Sequence, residues 1–173
     1  MTTPDRILTG FGLHLRGWTE QDLPAMVELF DEPEIARWTP MPSPFGPAEA
    51  RERLAGGRAD PARIPFAITE DGTAPRGEGL VIRTGHDGYD AELGYVIGAR
   101  YRGQGLAVRA LRLLTDYAHV TLGLDRLALR IEEENTASCA VARSAGYRLT
   151  DDEPVVRGSR DKPVILRTWQ HGE

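Results

Sequence analysis

Cysteine and lysine are almost missing from this chain: Cys139 and Lys162 are the only residues of their types. A single cysteine cannot close an intramolecular disulfide and excludes a cysteine-rich metal site. A reducing, cytoplasmic setting fits that scarcity. No apolar run approaches the roughly 18 residues that a membrane span needs, so no membrane partner is expected. The opening Met1-Thr2-Thr3-Pro4-Asp5-Arg6 has neither the basic nor the apolar stretch of a secretory signal. Internal repeats and low-complexity tracts are also lacking. Basic charge is in deficit, with 21 Lys and Arg against 26 Asp and Glu and a net charge of −5. That balance disfavours nucleic acid as a partner and mildly favours cations.

What is present suffices for one core. Of 173 residues, 40% are hydrophobic, and we read 1–173 as a single domain. Residues 11–16 alternate, Leu13 and Leu15 against His14 and Arg16, as in a half-buried strand. Thr19 reads as a helix N-cap with Asp22 three residues on, ahead of Leu23, Met26, Val27 and Phe30 at helical spacing. Residues 39–47 carry Pro40, Pro42, Pro44 and Pro47, which predict a stiff surface loop. A short helix is predicted over 48–54, ending at Gly56-Gly57. Strands follow at 64–69, 79–83 and 91–97. Residues 106–122 then place Leu106, Ala110, Leu113, Leu114, Tyr117 and Ala118 on one helical face, ending at Gly123. A strand at 127–131, a helix at 136–144, a strand from 147 and a last strand at 164–169 complete the reading. Consecutive strands followed by alternating helices and strands predict a mixed α/β domain, largely antiparallel in its first half.

The informative segment is Arg102-Gly103-Gln104-Gly105-Leu106-Ala107, between a strand and the long amphipathic helix. Glycines at 103 and 105 bare the backbone N–H groups, and Ala107 keeps the first turn slim. The helix N-terminus adds unpaired donors and a partial positive charge. Arg102 can neutralise an oxygen of a bound diphosphate. A tight turn that merely joins strand to helix is the competing reading. A dinucleotide fingerprint fails because its third glycine position holds Val108, and no P-loop pattern exists.

This segment resembles the coenzyme A signature of the GCN5-related N-acetyltransferases, Gln/Arg-x-x-Gly-x-Gly/Ala, at every fixed position. Glu92-Leu93-Gly94-Tyr95-Val96-Ile97 resembles the family's central strand. Asn135-Thr136-Ala137-Ser138, followed by Ala145-Gly146-Tyr147, resembles its next helix. Within the family, the Glu-Leu-Gly-Tyr strand start and the Thr-Pro-x-Pro loop are most similar to the RimJ/RimL-like branch. The resemblance implies a twisted mixed sheet with flanking helices, whose two central strands splay, usually at a bulge in the first. It implies acetyl-CoA as co-substrate and no metal. The backbone of Tyr95, Val96 and Ile97 would hold the pantetheine arm, residues 102–107 the diphosphate, and Asn135 the other wall. The implied partner is an amine acceptor, a peptide N-terminus or a small molecule, with a homodimer left open.

For chemistry, a carboxylate base with a raised pKa suits amine deprotonation, and Glu92 is the first choice; a solvated charge at a strand end is the alternative. The helix tyrosine that many family members carry corresponds to Ala142. Ser138 stands as the acid, or else as a helix-start hydroxyl. Trp38, Met41 and Phe45 are read as acceptor-side walls on the proline loop, because burying them there threatens unsatisfied backbone groups. His14, His86, His119 and His171 lack metal-ligand spacing and are read as structural or solvated. Cys139 is read as a small buried hydrophobe. A catalytically silent acetyl-CoA-binding module remains the rival function.

Overall fold

The computed structural model describes residues 6–173; residues 1–5, read above for a targeting signal, lie outside it. Among the described residues the chain opens with a hairpin, β1 (Ile7–Gly10) and β2 (Leu13–Arg16). Its turn residues Phe11 and Gly12 have φ of 52° and 74°, the paired positive values that match hairpin twist. Residue 11 is therefore turn rather than strand. The chain leaves β2 through Thr19, whose N–H donates to the Asp22 carboxylate at 2.8 Å, and enters α1 (Leu23–Phe30).

Helix α2 (Pro33–Trp38) was not predicted; Pro33 starts it and the Glu32 carboxylate accepts from the Glu34 N–H. Helix α3 (Pro47–Ala59) passes through Gly56-Gly57 instead of stopping there. A Cβ on Gly57 would stand 2.9 Å from the Pro65 ring, so this glycine lets α3 lie close on the sheet. Strands β3 (Arg63–Thr69), β4 (Gly77–Arg83) and β5 (Ala91–Ile97) follow, then α4 (Leu106–Asp116). The predicted long helix is two pieces, because residues 117–121 widen into a π-turn in which the Leu122 N–H reaches the Tyr117 carbonyl. The remainder is β6 (Leu127–Ile131), α5 (Thr136–Ser144), β7 (Arg148–Leu149), the unpredicted β8 (Val155–Ser159) and β9 (Lys162–His171).

The sheet order is β1-β2-β3-β4-β5-β6-β9-β7, with β8 on β9. Strands β1 to β5 are antiparallel neighbours and β5–β6 is parallel, the expected mixed arrangement. Pairing of β2 with β3 stops at Arg16↔Ala67; Pro65 sits on the stretch left as an edge, where its missing N–H costs nothing. On one face, Leu15, Phe66, Val81, Leu93, Leu127 and Leu129 pack under α4 and α5. On the other, Ala67 meets Met26, Leu29, Phe30, Ile35 and Leu54 of α1, α2 and α3. Glu78 is only 3% exposed on that second face and is answered by Arg53 of α3, as a buried charge requires.

Candidate active site

The parallel partners β5 and β6 meet only at Ala91↔Leu127 and Glu92↔Ala128. Beyond that point β6 stays with β9, while β5 keeps its register with β4 out to Ile97. Residues 93–97 therefore present one strand edge to a crevice whose far wall is β6 and the start of α5. The expected splay is present, but without the bulge, since the β4–β5 register is continuous.

At the end of β5 lies the glycine loop. Gly103 and Gly105 take φ of 78° and 73°, and a Cβ on either would meet nothing within 4 Å. Glycine is needed there for the backbone conformation. The first backbone bond of the helix is Arg109 N–H to the Gly105 carbonyl, and the N–H groups of residues 103–108 have no partner among the described residues. Those donors, at the N-terminus of an 11-residue helix, are of the kind that can hold an anion. Arg102 is not aimed into it: its Nε donates to the Ile97 carbonyl at 3.2 Å and its Nη2 to Glu32 at 2.8 Å. The loop needs that tie to hold its turn against β5. Arg109, overlooked in the sequence, reaches back to the Gln104 and Phe11 carbonyls and brings positive charge to the rim. Its position one turn after Gly105 was the available signal.

On the α5 wall, the Asn135 Oδ1 accepts from the Ser138 N–H at 3.2 Å. The capping considered for Ser138 thus belongs to Asn135. Tyr95 extends from β5 toward Ser138 and Cys139, and its hydroxyl is buried without a hydrogen-bond partner. Burial pushes the Tyr95 phenol up, and the nearby Ser138 hydroxyl partly offsets this. Cys139 is half-buried against the core, and burial raises its thiol as well.

Glu92 points to the opposite face and is not free. Arg157 of β8 donates to both of its carboxylate oxygens, at 2.8 and 2.6 Å, and the Arg130 Nε lies 3.9 Å away. The carboxylate is thus held in an ion pair, and β8, absent from the predicted elements, supplies the partner. Met41 and Phe45 lie inward. They are 8% and 1% exposed in the second core, Phe45 standing edge-on to Phe30 with centroids 5.4 Å apart. The backbone is satisfied locally, the Phe45 N–H by Asp31 and the Met41 N–H by the Thr39 hydroxyl. Trp38 alone of the three stays half-buried, its indole N–H on Glu34 and Arg37 stacked on its ring. Arg37 also approaches Glu132 at 3.8 Å, which places α2 beside the turn that opens the crevice. No cluster of three or more potential metal ligands occurs among the described residues, and no described helix is long and apolar enough to cross a membrane.

The family profile described as Acetyltransferase (GNAT) domain matches residues 12–148. Spermidine N(1)-acetyltransferase of Escherichia coli (strain K12) is 30% identical over 117 residues, covering 65% of this chain and 61% of that enzyme. Among solved structures, a GNAT-family acetyltransferase from Bacillus anthracis superposes with a TM-score of 0.84 at 17% identity, covering 96% of this chain and 98% of that one. Mycobacterium smegmatis RimJ, solved with CoA-disulfide, superposes at 0.79 and 23% identity, covering 98% and 88%.

Proposed function

Because the chain belongs to the GNAT acetyltransferase family, we propose that it moves the acetyl group of acetyl-CoA directly to a primary amine, on a protein N-terminus or a small molecule. The observation that carries this reading is the β5–β6 crevice, closed at one end by the unpartnered N–H groups of residues 103–108. A diphosphate suits that cradle, with Gly103, Gln104, Gly105, Leu106 and Ala107 around it and Arg102 shaping the loop. The amide-bearing pantetheine arm suits the free edge at Tyr95, Val96 and Ile97, as an added strand would. Asn135 faces it from α5, and the Ser138 hydroxyl is left for the leaving sulfur.

The acceptor enters from the α2 side, past Trp38, where Glu34 and Glu132 favour a cation. With Glu92 committed to Arg157, transfer rests chiefly on positioning a neutral amine, which an α-amine of pKa about 8 supplies readily. Its motifs and the likeness to RimJ support the RimJ/RimL-like branch, and the scarcity of cysteine suits a cytoplasmic setting. The similarity to the spermidine enzyme makes polyamines the other acceptor class to test.

The experiment is calorimetry with acetyl-CoA, followed by thiol release across peptides, polyamines and aminoglycosides. Gly105→Asp strains the left-handed turn less than most substitutions, since Asp visits that region, and sets a like charge against the diphosphate; circular dichroism establishes that the variant is folded. We expect its acetyl-CoA binding, and the rise in melting temperature that binding causes, to vanish. Wild-type affinity in the folded variant would overturn the cradle. Binding without thiol release on any amine would leave a silent acetyl-CoA module.

A further inference from the structure

Buried hydroxyls are normally hydrogen-bonded, and one left bare costs about 1–3 kcal/mol. Among the described residues, the buried side-chain atoms without a partner are Trp18 Nε1, Arg130 Nε, Arg167 Nε and the Tyr95 hydroxyl. Both arginines bond through another nitrogen. Trp18 lies on the α1–α3 face, away from the crevice. Tyr95 differs: it stands on the stretch of β5 beyond the last β6 pair, and its ring packs on the core beneath α4 and α5. Its hydroxyl comes up beside Ser138 on the first turn of α5. The Ser138 hydroxyl makes no bond of its own among the described residues, because the cap there is Asn135. Two hydroxyls, one from each wall, thus stand side by side at the crevice with no protein partner beyond each other.

We propose that the Tyr95 hydroxyl is a catalytic hydrogen-bond donor to the sulfur of the acyl thioester, sharing that sulfur with Ser138. This assignment rests on the acetyl-CoA reading of the crevice. In the step it serves, the amine nitrogen bonds to the acyl carbon and the C–S bond breaks, its electron pair going to sulfur. The proton shed by nitrogen ends on that sulfur by way of water. Tyr95 keeps its own proton and, as a fixed donor, lowers the energy of the charge that builds on sulfur. Its raised pKa keeps it a donor through the neutral and mildly alkaline range. This separates the side chain of Tyr95 from its backbone, which serves the pantetheine edge and survives substitution.

Tyr95→Phe removes the hydroxyl alone. Calorimetry first establishes that the wild type binds acetyl-CoA and CoA; binding of neither would overturn the crevice reading, and this assignment with it. Given binding, the variant should lose about ten- to a hundredfold in kcat with acceptor KM nearly unchanged. Its ligand-free melting temperature should be equal to the wild type's or higher, because an unsatisfied group has gone. The CoA thiol bound to the variant should form its thiolate, followed by ultraviolet absorbance, only at higher pH than when bound to the wild type. Ser138→Ala should shift the same readouts in the same direction, with the double variant falling short of the summed losses. Wild-type kcat and an unshifted thiolate titration in Tyr95→Phe would show an idle hydroxyl. A lowered ligand-free melting temperature with normal thiolate titration would make Tyr95 a structural residue only.

Discussion

Glu92 spends both carboxylate oxygens on Arg157, and that pairing decides what substitution there should do. Glu92→Gln keeps one acceptor for Arg157 and removes the charge. Arg157 is half exposed, so the pair is screened and its loss is mild. We expect a pH–rate profile of unchanged shape and less than about a tenfold loss of rate, in keeping with transfer by positioning. A loss at neutral pH that recovers at alkaline pH would restore Glu92 as the base. Much of the residue scale was legible beforehand. Gly103 and Gly105 were readable because an anion cradle demands local backbone, and local backbone is written in consecutive residues. The pairs Glu92–Arg157 and Arg102–Glu32 join residues 65 and 70 positions apart, which no local pattern reports.

At the scale of elements, the 39–47 segment divides what had been read as one wall. Phe45 fills the layer between α1, α3 and the sheet, whereas Trp38 caps α2 at the crevice mouth. Phe45→Ala should cost about 3–5 kcal/mol by urea denaturation, as a cavity in a packed core does. Trp38→Ala should change stability far less and raise the acceptor KM, with acetyl-CoA affinity held. The division fails if Phe45→Ala is stable, or if Trp38→Ala leaves acceptor KM unmoved. Prolines announced the loop correctly, but its side chains turn inward because Asp31 and Thr39 satisfy the backbone that burial would have stranded. The strands β3 to β6 and the helix α5 were read nearly to their ends, since each carries its own periodicity. Strands β1 and β8 and helix α2 are short, and their stability comes from neighbours rather than pattern.

Across the whole molecule, the C-terminal strand is tied to the end of the α4 segment by two histidines that are 52 positions apart. The His119 Nδ1–H donates to the Leu124 carbonyl at 2.6 Å, which leaves Nε2 to accept from the His171 Nδ1–H at 2.8 Å. Burial, then the neighbouring His119, lowers the His171 pKa below the usual 6.5, with Asp116 opposing. The unfolded chain therefore binds more protons between the two values, so stability is full above about pH 6.5 and declines as pH falls toward the folded value. The melting temperature should drop from pH 7 to 5 more steeply in the wild type than in His171→Gln; equal slopes would clear the pair of this role. By itself the sequence determined the mixed α/β class, the glycine turn ahead of α4, the long apolar helix face and the family resemblance. All of these are properties of neighbouring residues, set by backbone sterics and by periodic burial. Only the tertiary structure decided that Glu92 is engaged, that Phe45 is core, that Asn135 rather than Ser138 caps α5, and that the Tyr95 hydroxyl is bare. Each of those depends on which distant side chain arrives, and arrival is settled by packing two layers against one sheet.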